Sequence, residues 1–597
     1  TIEKYYSEKI QEVEKAVKTS AALENKYSNY RLLGIVLFFG SIYLGSAFSP
    51  LWLMLTAGIF AGFYFLVKIH DEVKTKTVQL IYKKGFFENE LYIIQGKPSD
   101  YYNGGEFIEN VHPYSEDLDV FGSFSLFSLL NRAATSFGIN RLRDSFLLKT
   151  NEPINRIQEA TQEIVAKKKW HEAFLSVLFP LIESDKSKTQ AVYDFTFEDE
   201  IKNEKLISLY SKILPFLWIG IIAAGFLVSW TITSVIGFII YLVNLSIVGR
   251  YRKLSEAYFV RVEGVYRTLQ PIERAVEIIL SEDWKAAKNS KLKSQIPQSA
   301  EVQNPIKAFS YLVKKLEIRR NQMAALFYYI YSPFDVIQLV KLKRWNEQNP
   351  GFFKEILTVI GEFEILASFA TCAVNHPDWT FPILSEEQPF ELRGKQIGHP
   401  LLSSSSNVRN DFDIQNQNRI SLITGSNMSG KSTFLRSAGT NILLAYMGAP
   451  VCAESLRLSK NIEMITYMRI KDDLNLNVST FKAEINRVKM IVNGIDANKN
   501  HLFLIDEMLR GTNSEDKLKG AIALLRKIAK SDTYSLVATH DLRATEVASE
   551  YPEIIQNFFF EFKNVNNDLE FDYKIKAGVC TSFNASQLLK QVGLPID

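Results

Sequence analysis

Two stretches of this chain contain no Asp, Glu, Lys or Arg: residues 32–67, 36 in all, and residues 213–249, 37 in all. About 20 helical residues cross a hydrocarbon core ~30 Å thick. Each stretch is therefore too long for one crossing and suits two helices of about 18 residues at ~1.5 Å per residue. Ser49-Pro50 offers a turn in the middle of the first, and Trp230-Thr231-Ile232-Thr233-Ser234 in the middle of the second. Two helical hairpins, four spans in all, are expected. The competing possibility is a pair of buried helices in a large soluble core, although soluble helices normally keep a polar stripe. Lys26, Arg31, Lys68, Lys74 and Lys76 flank the first stretch; Lys205, Lys212, Arg250, Arg252 and Lys253 flank the second. The turns are uncharged, so the positive-inside rule puts the flanks in the cytoplasm and the turns outside. The first stretch starts too late and runs too long for a cleaved signal peptide. The expected location is the cytoplasmic membrane, as a multi-pass protein with both termini and the C-terminal domain in the cytoplasm.

Over all 597 residues the composition is that of a globular protein, 47% hydrophobic and 23% charged, which excludes rods and wholesale disorder. A length of 597 residues corresponds to roughly four domains. Sixty-nine basic against 66 acidic residues leave +3, too near balance to argue for nucleic-acid binding from charge alone. Cys372, Cys452 and Cys580 lie far apart with no metal-ligand spacing and suit reduced thiols. Residues 1–30 suggest a charged amphipathic helix, 71–100 end in a Gly-Lys-Pro turn, and 117–169 are helical and amphipathic. Further helices are expected over 250–374, with breaks near 289–304 and 349–351. After His376 short β-rich runs alternate with helices, as in a parallel α/β sheet. The implied organisation is an N-terminal segment 1–100, a helical part 101–212, the second hairpin 213–249, a helical part 250–375 and a nucleotide-binding domain 376–597.

The chemistry concentrates in that last part. Ile420–Thr424 is a buried-strand pattern running into Gly425-Ser426-Asn427-Met428-Ser429-Gly430-Lys431-Ser432-Thr433 and then a helix. This is G-x4-G-K-S in the strand–loop–helix setting that a P-loop requires. Its glycines let backbone N–H groups curl around phosphate, and the helix N-terminus adds partial positive charge. Lys431 would reach the β/γ oxygens of ATP, and Ser432 would ligate Mg²⁺. His501–Asp506 is an apolar strand ending in Asp506 and Glu507. Asp506 would hold the Mg²⁺ shell, and Glu507 would orient and deprotonate water. Tyr534–Thr539 is a third strand, placing His540 at its end as a sensor of the γ-phosphate.

These motifs resemble the MutS mismatch-repair ATPase family. The residues that carry the likeness are TGSNMSGKSTF at Thr424–Phe434, DDL…STF at Asp472–Phe481, DEMLRGT at Asp506–Thr512 and ATH at Ala538–His540. Phe127–Arg143 is similar to the family's helical core, and Gly398-His399-Pro400 to the entry of its ATPase domain. The resemblance implies an α/β P-loop NTPase domain of ABC-like type on a mainly α-helical core and lever. It implies an ATPase homodimer, with each nucleotide held between Lys431 and Ser432 of one subunit and Ser479 of the other. Thr480, Phe481 and Glu484 continue that segment, although Ser479-Thr480 also suits a helix N-cap. Arg510-Gly511-Thr512 would lie at the dimer seam.

The chain departs from the family pattern at Asn477, Lys517 and Ser582-Phe583-Asn584. Asn407 stands where the family stacks an aromatic on adenine, so adenine over guanine selectivity is open. The Phe-x-Glu mismatch wedge has no counterpart, Phe197-Glu198 and Phe363-Glu364 being outside such a setting. The second hydrophobic stretch takes the place of the family's DNA clamp. Basic clusters (167–169, 314–315, 319–320, 341–344) alternate with acidic residues at helical spacing and read as solvated faces. The leading expectation is a membrane-anchored ATPase whose nucleotide cycle moves lever helices and hairpins, working with lipid and an unidentified protein partner. The alternative is a membrane-tethered DNA-binding protein of mismatch-repair type, sensing mismatched or distorted duplex. A transporter ranks last, because the spans hold no ionisable residue.

Overall fold

The computed structural model describes the chain except residues 1, 48–50, 109–111, 151, 184–185, 298–304, 321, 387–389, 415–417, 427, 461, 469–479, 498–499, 510–512, 566–567 and 581–597. It falls into two compact units, one of 1–100, 133–139 and 167–364, the other of 101–132, 140–166 and 365–597.

The first unit is helical. Helices α1 (Ile2–Ala47) and α2 (Leu51–Ile94) run antiparallel. Ser20 meets Thr77 at 2.8 Å, Arg31 meets His70 at 2.8 Å, and Thr56 donates to Ser41 at 2.9 Å. The end that holds both charged halves packs inward, with buried Tyr6 6.2 Å from Phe87 and Tyr5 donating to Glu172. The other end turns Leu32, Val36, Phe39, Tyr43, Phe60 and Tyr64 outward. Ser49-Pro50, expected as the turn, lies outside the described residues.

The second apolar stretch forms α3 (Glu204–Leu227) and α4 (Trp230–Val262). The bend is at Val228-Ser229, and Trp230–Ser234, expected as the turn, is the first turn of α4. Ser229 takes an extended conformation ahead of the helix, and Thr233 Oγ1 donates back to its carbonyl at 3.0 Å. Trp230 packs edge-on to Phe226 with centroids 5.0 Å apart, and a Cβ on Gly225 would stand 2.8 Å from its ring. Glycine at 225 therefore lets the two helices close directly above the bend. Among the described residues three helices are long and apolar enough to cross a membrane: α3, α4 and α5 (Phe352–Asn375). In α3 and α4 only 11% of the apolar window is buried, against 83% in α5, which is a core helix.

Residues 117–169 are less helical than expected, with helices Leu126–Leu130, Ser136–Phe146 and Ile154–Ala166. Asp119, Gly122 and Phe124 all adopt positive φ, which a helix cannot accommodate. The break at 349–351 stands, with Gly351 at φ +70. The one near 289–304 is shorter than expected, because Ala287–Ser294 is helical.

In the second unit, β1 (Ile383–Ser385), β2 (Leu392–Ile397), β3 (Asn410–Ile414) and β5 (Ser455–Ser459) form a four-stranded sheet in the order β1-β5-β2-β3. The larger sheet contains β4 (Ile420–Thr424), β6 (Glu463–Tyr467), β7 (His501–Asp506), β8 (Tyr534–Thr539), β9 (Ile555–Val565) and β10 (Asp568–Ala577). Its order is β10-β9-β4-β8-β7-β6, parallel apart from the β9–β10 pair. The strands foreseen at 420–424, 501–506 and 534–539 are β4, β7 and β8. Each reads as an unbroken apolar run because helices cover both faces of a parallel sheet. One such layer joins Leu422, Phe503, Ile505 and Val537 to Ile491 and Ile495 of α7 (Thr480–Asp496) and Leu525 and Ile528 of α8 (Ser514–Ala529). The helix α6 (Lys431–Met447) packs closely on β7, since a Cβ on Gly439 would lie 2.7 Å from Leu504.

Candidate nucleotide site

The register of the larger sheet assembles the site. Thr424 of β4 lies opposite Thr539 of β8, and Ala538 lies opposite Asp506 of β7. The next residue along each chain is Gly425, His540 and Glu507, so the three motifs leave the carboxyl edge of adjacent strands together. Ligands of open parallel sheets bind at such an edge.

The loop from Gly425 to Gly430 depends on backbone conformations that most side chains resist. Gly425 is at φ +148, Gly430 at +105 and the exposed Met428 at +68. A Cβ on Gly425 would stand 2.8 Å from the Phe560 carbonyl and 2.9 Å from Ser429 Oγ. The ammonium of buried Lys431 donates to the carbonyls of Gly425 and Ser426, each at 2.8 Å, which curls the loop over the first turn of α6. Ser432 and Thr433 follow in that turn, half-buried and exposed. Asn427 lies outside the described residues.

The residues fit a phosphate. The hydroxyls of Ser426 and Ser429 are buried with no hydrogen-bond partner among the described residues. Leaving a polar group so costs about 1–3 kcal/mol, which phosphate oxygens would relieve, and the α6 N-terminus adds its dipole. No cluster of three acidic, His or Cys side chains that could hold a metal occurs among the described residues. Ser432 and Asp506, the residues expected to hold Mg²⁺, would do so together with the phosphates.

Asp506 is buried at the end of β7. Glu507 follows at φ +50 and Leu509 at φ +56, unusual for residues with side chains. Both are pinned: Glu507 N–H donates to Ala538 O at 3.1 Å, and Leu509 N–H to the Tyr467 hydroxyl at 2.9 Å. Conformations of this kind cost about 1–3 kcal/mol and gather at functional sites. The Glu507 carboxylate thereby reaches His540, Oε1 to Nδ1 at 3.2 Å, without the alignment of a hydrogen bond. Two of the three residues expected to act in catalysis, Glu507 and His540, thus meet, and the third, Lys431, opens α6 after the loop that leaves β4, on the other side of β8 from β7.

Other expected residues have different fates. Ser479, Asn477, Arg510-Gly511-Thr512 and Ser582-Phe583-Asn584 lie outside the described residues; Glu484 is buried on α7. Asn407 is a staple: its Oδ1 accepts from His399 N at 2.9 Å, and its Nδ2 donates to His399 O at 3.1 Å. A Cβ on Gly398 would come within 2.7 Å of Asn407, so its amide is committed to the 398–400 turn. Burial lowers the His399 pKa to about 4 and keeps that ring neutral. Tyr573 was not foreseen: a Cβ on Gly430 would stand 3.1 Å from its ring, and Tyr573 itself is at φ +52. The bulge in β10 that directs it there has no sequence signal. In the helical unit the basic clusters include ion pairs, Lys167–Glu282 at 2.6 Å, Arg319–Glu256 at 2.8 Å, and Lys343 and Arg344 on Glu204 at 2.9 and 2.8 Å.

A family model described as MutS domain V matches residues 421–596. A DNA mismatch repair protein MutS from Thermotoga petrophila is 33% identical over 248 residues, covering 40% of this chain and 30% of the relative. One from Thermotoga neapolitana is 31% identical over 227 residues, 38% of this chain and 28% of the relative. The chain thus spans about 30% of the length of the curated relatives it matches.

Proposed function

We infer that this chain, whose residues 421–596 belong to the MutS domain V family, is a membrane-anchored ATPase working as a homodimer through its nucleotide-binding domains. The observation that carries this is the sheet register aligning the loop 425–430, Glu507 and His540 at one edge. In this reading Lys431 exchanges the Gly425 and Ser426 carbonyls for phosphate oxygens, and Ser432 and Asp506 would hold a Mg²⁺ that would supply charge neutralisation at the phosphates. Glu507 takes the proton of the attacking water, and His540 orients that carboxylate and senses the γ-phosphate. Ser479 of the second subunit would close the site, as the family resemblance implies. Support for anchoring comes from the exposed apolar faces of α3 and α4 and of the α1–α2 pair. ATP binds one of two states more tightly, and that difference is what would drive the helices.

The relatives' names favour a second reading, a membrane-tethered protein that senses distorted duplex DNA. ATP hydrolysis by the full chain in nanodiscs and in detergent, with and without heteroduplex DNA at two salt concentrations, separates the two. The first reading expects Mg²⁺-dependent turnover raised by lipid and indifferent to DNA. DNA stimulation that falls steeply with salt would favour the second. No turnover in either medium would sink both.

A further inference from the structure

The second hairpin carries a third apolar element that its sequence did not announce. Residues 321–334, between Arg320 and Asp335, are uncharged and contain helix Gln322–Tyr331. Ten residues span only ~15 Å, half a bilayer core, the length of an interfacial or re-entrant segment. Two hairpin side chains hold its end. Fully buried Asn244 donates to the carbonyls of Tyr329 at 3.0 Å and Ile330 at 3.3 Å while accepting from Tyr210 at 2.8 Å. Trp218 Nε1 donates to the Tyr331 carbonyl at 3.0 Å. The last carbonyls of a helix have no intrahelical partner, and here the hairpin supplies one, so the end is tolerable where water is scarce. Leu326, Tyr328, Ile330 and Tyr331 remain exposed.

Beside this end is a pocket of about 520 Å³ lined by Trp218, Gly237, Phe238, Tyr241, Leu326 and Ile330. Its polar groups are largely committed: the Trp218 N–H is on Tyr331, and the Ser234 hydroxyl, also in the wall, donates to Thr231 O at 2.8 Å. Among the described lining side chains only the Tyr241 hydroxyl is left to address a ligand, which suits hydrocarbon. Lys212 lies six residues before Trp218, and Arg250, Arg252 and Lys253 lie nine to twelve after Tyr241. Those spacings are ~9 Å and ~14–18 Å along the helices. All four cations are exposed, and none forms an ion pair with a described residue. A hydrocarbon slot with cations beyond one end matches a lipid with a negative headgroup.

We propose that this pocket holds one acyl chain of an anionic phospholipid drawn from the surrounding bilayer, with its phosphate toward Lys212 and Arg250. The proposal rests on the membrane-anchored reading. The test places the full chain in nanodiscs of phosphatidylcholine and phosphatidylglycerol, one of which carries a diazirine on its acyl chain. After irradiation, the labelled residues are mapped by peptide mass spectrometry. The phosphatidylglycerol probe is expected to label 237–241 and 326–330 at least five-fold above the outer face of α3. Gly237→Leu, which fills the pocket, abolishes that excess. Gly237→Ala keeps it, since its Cβ would only touch Trp218 at 3.5 Å, and this variant controls for folding. Lys212→Gln with Arg250→Gln brings the phosphatidylglycerol and phosphatidylcholine probes to equal labelling. Even labelling along α3 and α4, equal labelling of the parent by both probes, or cross-links to a second copy at these positions would overturn the proposal. Failure to enter nanodiscs at all would instead defeat the membrane reading.

Discussion

His540 Nδ1 stands 3.2 Å from Glu507 Oε1, although the two side chains leave different strands. The contact depends on Glu507 adopting φ +50 while its amide is fixed to Ala538, the residue two before His540. One backbone hydrogen bond thus sets the carboxylate against the imidazole. Glu507→Gln preserves shape and removes the base, so hydrolysis is expected to fall 10²–10⁴-fold, the usual contribution of a general base. Binding of a fluorescent ATP analogue should be unchanged and dimer closure prolonged. Phosphate release at the parental rate would rule out this assignment.

Lys431 is held by two loop carbonyls, so its removal takes away both a phosphate ligand and the tie that shapes the loop. Lys431→Ala should weaken nucleotide binding at least ten-fold, read by titration with the same analogue. Lys431→Arg should not rescue it, because a planar guanidinium replaces a compact ammonium.

The loop's geometry makes a separate prediction at Gly425. Alanine there would combine φ +148 with a Cβ 2.8 Å from the Phe560 carbonyl. Gly425→Ala should cost about 1–3 kcal/mol and lower both melting temperature and nucleotide affinity. An unchanged affinity would mean that the loop reshapes on binding.

Glu364 provides a pH dependence within the helical unit. Its carboxylate accepts from the backbone N–H groups of Ala134 at 2.8 Å and Thr135 at 3.0 Å, and from the Thr135 hydroxyl, so it caps helix Ser136–Phe146. Complete burial nevertheless outweighs these bonds and raises its pKa from 4.5 to about 7. The folded state therefore holds a proton that the unfolded chain releases near pH 4.5. Stability is full below that pH, declines as pH rises and levels off above about 7, a loss of about 3 kcal/mol at ~1.4 kcal/mol per unit. Glu364→Gln removes this titration. Differential melting of parent and variant should show the parent losing ground between pH 5 and 7.5; parallel curves would contradict it.

Ile219 and Ile239 are more than half exposed on α3 and α4. A Lys at either site would cost about 2.5–3.5 kcal/mol at the centre of a bilayer and almost nothing in water. Ile219→Lys with Ile239→Lys should release the chain from carbonate-washed membranes in larger amount than the parent. Equal extraction would argue against insertion of this pair.

The elements of the candidate nucleotide site were legible because their determinants are local. Strands 420–424, 501–506 and 534–539 are each buried on two faces, which leaves continuous apolar runs in the sequence, and the P-loop has a fixed glycine spacing. What escaped notice depends on distant partners. The bend at Val228-Ser229 was misplaced by two residues because Trp230 looks like a turn residue until it is seen packing over Gly225. Tyr573 reaches Gly430 through a bulge, and bulges carry no composition. Helix Gln322–Tyr331 is too short for a span and too apolar for a loop, and it makes sense only beside Asn244 and Trp218. Asn407 looked like a lost base contact and proves to be a turn staple.

The bend between α3 and α4 has one further consequence. With only Val228 and Ser229 outside helix, this hairpin would, under the membrane-anchored reading proposed above, present almost no polypeptide beyond the far leaflet. An antibody, a protease or an extracellular messenger would find nothing there to grip. On that reading the bend between α3 and α4 offers no outer handle, and whatever governs the proposed turnover of ATP would reach this hairpin from within the bilayer or from the compartment that supplies the nucleotide.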